Sequence, residues 1–214
     1  MVDLTGQIQL LQSPAVSFTR RSTKALLLCL AATALLTAMD LGSKEWALER
    51  LSQPSRFGSD PVCTADAYGR VVPQREQRAP VVLLDGYLEL RYAENCGAAF
   101  GFMREMPSLV RKGVFYFAAA GAIVLLMGMF ITGRGGKLFA LAVPLIVSGA
   151  IGNLVDRVRL GYVVDFIRAH LNDRWAYPTF NIADAWITIG VILILLEGFF
   201  ERGQDPAEKP APSE

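Results

Sequence analysis

The chain has 214 residues, 52% of them hydrophobic and 19% charged, with a formal net charge of +1. A balance this close to neutral offers no basic surface for nucleic acid, and three cysteines with one histidine are too few for a zinc-finger framework. The apolar share is only slightly above that of soluble domains, so its distribution decides the class: it is gathered into four long, almost charge-free runs at 25–39, 113–133, 138–155 and 182–200.

A helix needs roughly 20 residues to cross ~30 Å of hydrocarbon. The run 113–133 meets this alone, the first does when extended to 22–41, and the other two do with short polar flanks. The expectation is a mainly α, polytopic membrane protein with four transmembrane helices, at about 22–41, 113–133, 138–155 and 182–200. They form a single membrane-embedded domain over 22–200, with both termini on one side.

Taken in order, 1–21 is a polar tail. Arg20, Arg21 and Lys24 before an apolar stretch resemble a signal peptide. No clear small-residue cleavage site precedes Asp40, Lys44 and Glu45, so the stretch reads as an uncleaved first span with its basic end in the cytoplasm. Cys29 within it is read as packing. Residues 51–80, dotted with proline and glycine, read as an irregular insertion. Cys63 and Cys96 share one polar loop and could pair if it faces an oxidising compartment, although nothing in the sequence favours that pairing.

The alternation in "YLELRY" predicts a half-buried strand over 87–92, with Leu88, Leu90 and Tyr92 on one face and Glu89 and Arg91 on the other. "NCGAAFGF" then reads as a turn and a second short strand, giving a small antiparallel β-sheet over 86–102, extracytoplasmic in this layout. Residues 103–112 are an amphipathic bridge, 133–137 a tight basic turn, 156–179 a polar connector, and 201–214 a loose cytoplasmic tail. Arg20, Arg21, Lys24, Arg134, Lys137 and Arg202 fit the positive-inside rule. Arg157, Arg159, Arg168 and Arg174 fall on the opposite side and need a local reason, either acidic partners or lipid headgroups.

Ionisable groups near spans are costly enough to be functional candidates. Asp40, Asp165 and Asp184 all fall at span ends on one side. Gly149, Asn153 and Arg157, spaced by four, share a helical face, where they serve as helix–helix contacts or as a site. Asp40 and Lys44 are also spaced to pair, and Asp156 could pair Arg159 or Arg157 in an ordinary surface network. Asn181 with Asp184 approximates a capping box. Asp165, in "GYVVDFI", has no capping job, and two carboxylates held close can share one proton and serve as acid and base around one water. There is no H-E-x-x-H, no G-x-S-x-G and no presenilin-type G-x-G-D. A non-enzymatic transporter or assembly factor, its acids relaying protons or holding helices, is the competing class. Transporters usually place such groups near the midplane of repeated halves, and no repeat is present here.

Four segments, "DLGSKEW", "NCGAAFGF", "SGAIGNLVDRVRLGYVVDF" and "FNIADAWITIG", together resemble lipoprotein signal peptidase, the prokaryotic signal peptidase II of aspartic peptidase family A8. The resemblance implies an intramembrane aspartic endopeptidase that cleaves a prolipoprotein before its diacylglyceryl-modified cysteine, with Asp165 and Asp184 as the catalytic dyad. It implies that Asn153, Arg157 and Asn181 surround the dyad, that Gly149 supports it, that Asn95 belongs to the substrate-cradling sheet, and that Asp40 and Lys44 support fold or site. It further implies no metal or other cofactor, inhibition by the cyclic peptide globomycin, contact with membrane lipids, a bacterial inner-membrane location and a site on the extracytoplasmic face. A monomer is the default expectation.

Overall fold

The computed structural model describes residues 20–56, 62–63, 72–97, 108–172 and 174–202. In chain order these form α1 (Thr23–Leu51), β1 (Ser52–Pro54), β2 (Arg75–Gln77), β3 (Val81–Leu84), β4 (Leu88–Asn95), α2 (Ser108–Ile131), α3 (Lys137–Arg159), β5 (Val163–Leu171), β6 (Trp175–Ala176) and α4 (Ile182–Arg202). All four helices are long and apolar enough to cross a membrane. Large side chains such as Leu35, Phe117, Val124 and Leu195 remain exposed on them, as suits helices whose solvent is lipid rather than water.

The helix α3 is the centre of the bundle and packs on each of the other three. Of its apolar stretch 44% is buried, against 6% for α2. Small residues allow the close approach that lipid-solvated helices rely on. A Cβ on Gly149 would stand 2.5 Å from the Ala183 carbonyl oxygen of α4, and one on Gly152 would collide with the Asp40 carboxylate of α1. At the end of the bundle away from the sheet, Glu197 of α4 accepts from the backbone N–H groups of Gly136 (2.6 Å) and Phe139 (3.0 Å). Glu197, the acid near the far end of the last apolar run, therefore caps the start of α3, where the helix dipole favours negative charge. Arg21 closes the same end by donating to the carbonyls of Gly135 and Gly136 at 2.9 and 3.2 Å.

The helix α1 runs ten residues past the expected end near residue 41. Ser22 caps its start, its hydroxyl accepting from the Ala25 N–H at 3.2 Å. Its far end continues because Ala47, Leu48 and Leu51 pack beneath Tyr92, Tyr162, Val164 and Phe166. These last turns are the pedestal on which the sheet rests.

The strand pairing differs from the expectation. The four-stranded antiparallel sheet has the order β3-β4-β5-β6, so the partners of β4 come from 81–84 and from the connector 163–171, while 98–107 lies outside the described residues. The register pairs Ala93 with Asp165 and Asn95 with Val163, which is how Asp165 arrives beside Asn95. The insertion is not wholly irregular either, because β1 and β2 pair at its base. Arg75 holds them to α1 by donating to Ser52 Oγ (2.7 Å) and the Leu48 carbonyl (3.0 Å), and Glu94 accepts from the N–H groups of Gln74 and Arg75, both at 2.8 Å. Cys63 and Cys96, for which the sequence favoured no pairing, are joined in a disulfide, and Cys29 is free and buried.

Glu89 is buried rather than lying on an open polar face, because Arg168 (2.7 Å) and Arg91 (2.9 Å) cover it. Arg159 meets Glu45 at 3.5 Å. Two of the four awkward arginines therefore have acidic partners.

Because Gly152 faces Asp40 with no room for a side chain, Gly152→Ala should lower stability by about 1–3 kcal/mol, the usual cost of overpacking. Thermal unfolding in detergent reads this out, with Gly128→Ala, at a glycine with open space around it, as the unaffected control.

Candidate active site

The site is assembled from five elements around one buried ammonium. Lys44, one turn after Asp40 on α1, is 1% exposed. Three oxygens stand around it: Asn153 Oδ1 accepts its hydrogen bond at 2.8 Å, and the carboxylates of Asp40 (Oδ2, 2.8 Å) and Asp156 (Oδ2, 3.3 Å) form ion pairs with it. Asp40 spends its other oxygen on the Ala183 N–H (2.9 Å), one of the orphan donors in the first turn of α4. Asp156 likewise accepts from the Val164 N–H at 3.0 Å, which fixes the start of β5 next to Asp165.

Asp156 thus overturns its sequence reading. It is buried and bound to Lys44 rather than paired with Arg157 or Arg159 at the surface. It stands three residues after Asn153 and four after Gly152, so extending the 149–153–157 stripe by its i+3 neighbours would have found it.

Three asparagine amides carry the network to two carboxylates, and each is oriented by what its oxygen accepts. Asn153 Oδ1 faces Lys44, so its Nδ2 donates to Asp184 Oδ1 at 2.8 Å. Asn181 Oδ1 accepts from the Asp184 N–H at 3.0 Å, and its Nδ2 donates to Asp165 Oδ1 at 2.7 Å and Asn153 Oδ1 at 3.2 Å. Asn95 Oδ1 accepts from the Gly97 N–H at 3.1 Å, and its Nδ2 donates to Asp165 Oδ2 at 3.0 Å. Asp184 Oδ2 in turn receives the Asn181 N–H at 3.3 Å. The capping box is therefore present, and it also bridges the two acids. Each of the four carboxylate oxygens has one donor and keeps acceptor capacity toward the cleft.

The two acids differ in setting. Asp165 is 2% exposed, while Asp184 is half-buried. Burial, with the Asp184 charge beside it, pushes the Asp165 carboxyl up to about 8, against the opposing pull of the Asn95 and Asn181 amides. Both line an open cleft of about 540 Å³ together with Asn95, Asn153, Arg157 and Tyr177. An adjoining apolar cavity of about 200 Å³, walled by Phe115, Ala118, Ala119, Ala150 and Leu154, shares Asn153, Arg157 and Ile187 with it.

Among the described residues Arg157 forms no salt bridge, although the Asp184, Asp165 and Asp156 charges act on it. Its guanidinium lies 4.2 Å over the Phe115 ring and donates to the carbonyls of Asn153 (3.1 Å) and Gly97 (3.3 Å). Gly149 acts at one remove, by letting α4 approach α3. Asp40, Lys44, Asn95, Asn153, Asp165, Asn181 and Asp184 are thus brought into one connected network.

A family model described as signal peptidase (SPase) II matches residues 32–200. The lipoprotein signal peptidase of Clostridium tetani (strain Massachusetts / E88) is 34% identical over 169 residues, which span 78% of this chain and 89% of that protein. That of Ectopseudomonas mendocina (strain ymp) is 41% identical over 119 residues, 56% of this chain and 70% of that one. A solved structure described as a bacterial membrane enzyme superposes with a TM-score of 0.61 at 21% identity, covering 86% of this chain and 94% of its own. That likeness bears on the fold.

A carboxyl whose folded-state pKa is raised binds a proton that the unfolded chain has already released, so it destabilises the folded state as pH climbs between the two values. For Asp165 that window runs from the ordinary carboxylate range to about 8. Asp165→Asn should therefore gain in melting temperature over the unchanged protein as pH rises from 5 to 8. A difference that stays constant across that range would contradict the assignment.

Proposed function

The chain belongs to the signal peptidase II family, and we propose that Asp165 and Asp184 are the dyad with which it cleaves prolipoproteins before the diacylglyceryl-modified cysteine. One observation carries the dyad reading. Two carboxylates share one cleft, are bridged by the same asparagine, and differ in burial, which with the Asp184 charge pushes the Asp165 carboxyl up to about 8.

In this reading Asp165 holds the proton and Asp184, nearer solvent, is the base. Asp184 takes a proton from a water as its oxygen attacks the scissile carbonyl, while Asp165 delivers its proton to the carbonyl oxygen. The tetrahedral diol then collapses. Asp184 passes its proton to the departing cysteine nitrogen, and Asp165 recovers one from the diol hydroxyl. The products are a signal peptide ending in a carboxylate and a lipoprotein with a free amino group, with both acids restored. Asn95, Asn153 and Asn181 hold the two carboxylates during both proton transfers. Arg157 and Gly149 shape the cleft, and Asp40 and Lys44 anchor Asn153 and the start of α4. The chemistry requires no metal or cofactor.

The substrate is itself a membrane helix carrying acyl chains. The apolar cavity beside the dyad, walled by α2 and α3 with Ile187 of α4, suits hydrocarbon near the cleavage point. Lipid contact extends to the sheet. Val82, Leu83, Leu84 and Tyr87 on one hairpin and Leu171, Trp175 and Tyr177 on the other are exposed, and the two tips are joined by the His170 and Asn172 N–H groups donating to the Tyr87 and Gly86 carbonyls, both at 2.8 Å. An apolar edge with Trp and Tyr suits the lipid headgroup level. The basic residues at the opposite end support cytoplasmic termini and an extracytoplasmic site, since Arg159 and Arg168 are engaged by protein acids. A globomycin-type cyclic peptide would compete for the same cleft, and a monomer contains every residue the reaction uses.

Asp165→Asn and Asp184→Asn, each assayed on a lipid-modified prolipoprotein, should lower turnover by about 10²–10⁴-fold while preserving the folded state. Wild-type cleavage by either folded variant would sink the dyad. Independently, a topology reporter inserted after residue 70 should read as extracytoplasmic, and a cytoplasmic signal would invert the orientation.

A further inference from the structure

We infer that the Cys63–Cys96 disulfide is a positioning element of the peptidase site, holding Gly97 and Asn95 against Asp165 so that full activity depends on this bond staying oxidised. The inference rests on the reading of Asp165 and Asp184 as the dyad.

Cys96 follows directly on the last ladder pair, Asn95 with Val163. The sheet itself thus holds Asn95 but not the two residues after it. Among the described residues they are held by the bond to Cys63, by Cys96 packing against the core and by the Arg157 donation to the Gly97 carbonyl at 3.3 Å. The Cys63 end is well anchored. Cys63 is 6% exposed and belongs to the core with Tyr92, Tyr162 and Val164, its carbonyl accepts from Arg111 at 3.4 Å, and the neighbouring Val62 lies against Gly161. The bond therefore ties a fixed point in the insertion to the residue next to Asn95.

The consequence reaches Asp165 through one amide. The Gly97 N–H occupies Asn95 Oδ1 at 3.1 Å, which leaves the Asn95 NH₂ to face Asp165 Oδ2 at 3.0 Å. An amide has one oxygen and one NH₂. If Gly97 drifts, the oxygen loses its partner and the amide is free to turn, presenting an acceptor to a carboxylate. The donor that favours ionised Asp165 is then lost, while the burial and the Asp184 charge that raise it remain, as do Asn181 on α4 and Lys44 on α1. Reduction by a dithiol balances simply. One thiolate attacks a cystine sulfur and expels the other, the second thiol closes on the first, and two electrons with two protons pass to Cys63 and Cys96 as the reductant becomes a cyclic disulfide.

Losing a plain staple of the insertion would lower stability without touching Asp165, so the test reads catalysis. Full-length enzyme is assayed on a lipid-modified prolipoprotein before and after dithiothreitol, with thiol labelling after denaturation to verify that free thiols rise from Cys29 alone to Cys29, Cys63 and Cys96. Reduction, and the Cys63→Ala/Cys96→Ala variant, should each cut kcat by roughly tenfold, the scale of one hydrogen bond to a charged group, and move the alkaline limb of the pH profile upward. The variant should be indifferent to dithiothreitol. In an Asn95→Ala background, removing the disulfide should cost less than about twofold, because both changes act through the same contact. Unchanged kcat and pH profile in verified reduced enzyme would overturn the inference, as would a loss that adds fully to Asn95→Ala with no shift of the limb. If the variant fails to fold, reduction of the already folded enzyme decides. An oxidised wild type that cleaves nothing would instead refute the peptidase reading.

Discussion

The buried ammonium of Lys44 is the constraint on which the arrangement depends. Desolvating a lysine and two carboxylates costs several kcal/mol per ion, and it is tolerated here because Lys44 lies between two carboxylates and donates to the Asn153 amide oxygen. A hydrophobic replacement of such a cluster is often no less stable, whereas removing one member strands the others at about 3–5 kcal/mol. What the cluster supplies that apolar packing would not is direction. Asp40 points to the start of α4, Asp156 to the start of β5, and Asn153 to Asp184. The two segments that carry the acids are thus positioned from one point on α1.

The chemistry inherits that geometry through amides. An asparagine has no net charge, so it can touch a carboxylate without neutralising it. Its two ends differ, so it transmits orientation. A lysine or arginine in direct contact with Asp165 would favour its ionised form strongly and remove the proton that a dyad needs. In this site the fixed cations stand one residue away: Lys44 behind Asn153, and Arg157 on carbonyls and the Phe115 ring. Asp165 stays well above the ordinary carboxylate range because burial and Asp184 outweigh the amide donors.

The four helices, and the pairing of Asp165 with Asp184 in one cleft, were legible in the sequence because each rests on a local signal. Charge-free length marks a span, and a carboxylate in "GYVVDFI" with no capping role marks itself as out of place. Asp156 was misread because its neighbours in sequence, Arg157 and Arg159, offered plausible partners, while its true partner Lys44 lies 112 positions earlier on another helix. The far end of α1 was cut short for a related reason. The expected span followed apolar length and stopped at the charged Asp40, Lys44 and Glu45, whereas the sheet packed on Ala47, Leu48 and Leu51 supports the helix beyond them. Strand partners were the hardest to read, since "YLELRY" specifies a strand but says nothing of which segment, near or remote, will lie beside it.

The length of α1 explains why the acids stand where they do. At 1.5 Å per residue, Asp40 lies roughly 26 Å along the helix from Thr23 and Leu51 roughly 42 Å, against ~30 Å of hydrocarbon. The carboxylates therefore fall close to one edge of the apolar slab, and the remaining turns stand beyond it beneath the sheet. A dyad deeper in the bundle would lack water, and one on the sheet alone would lose the helix that seats Asp184. At the junction Asp184 is half-buried and faces the open cleft, while Asp165 is enclosed. The same placement puts an apolar cavity and a polar cleft on either side of Asn153 and Arg157. A substrate that is hydrocarbon on one side of its scissile bond and hydrated on the other can be held there without dragging either part into the wrong solvent.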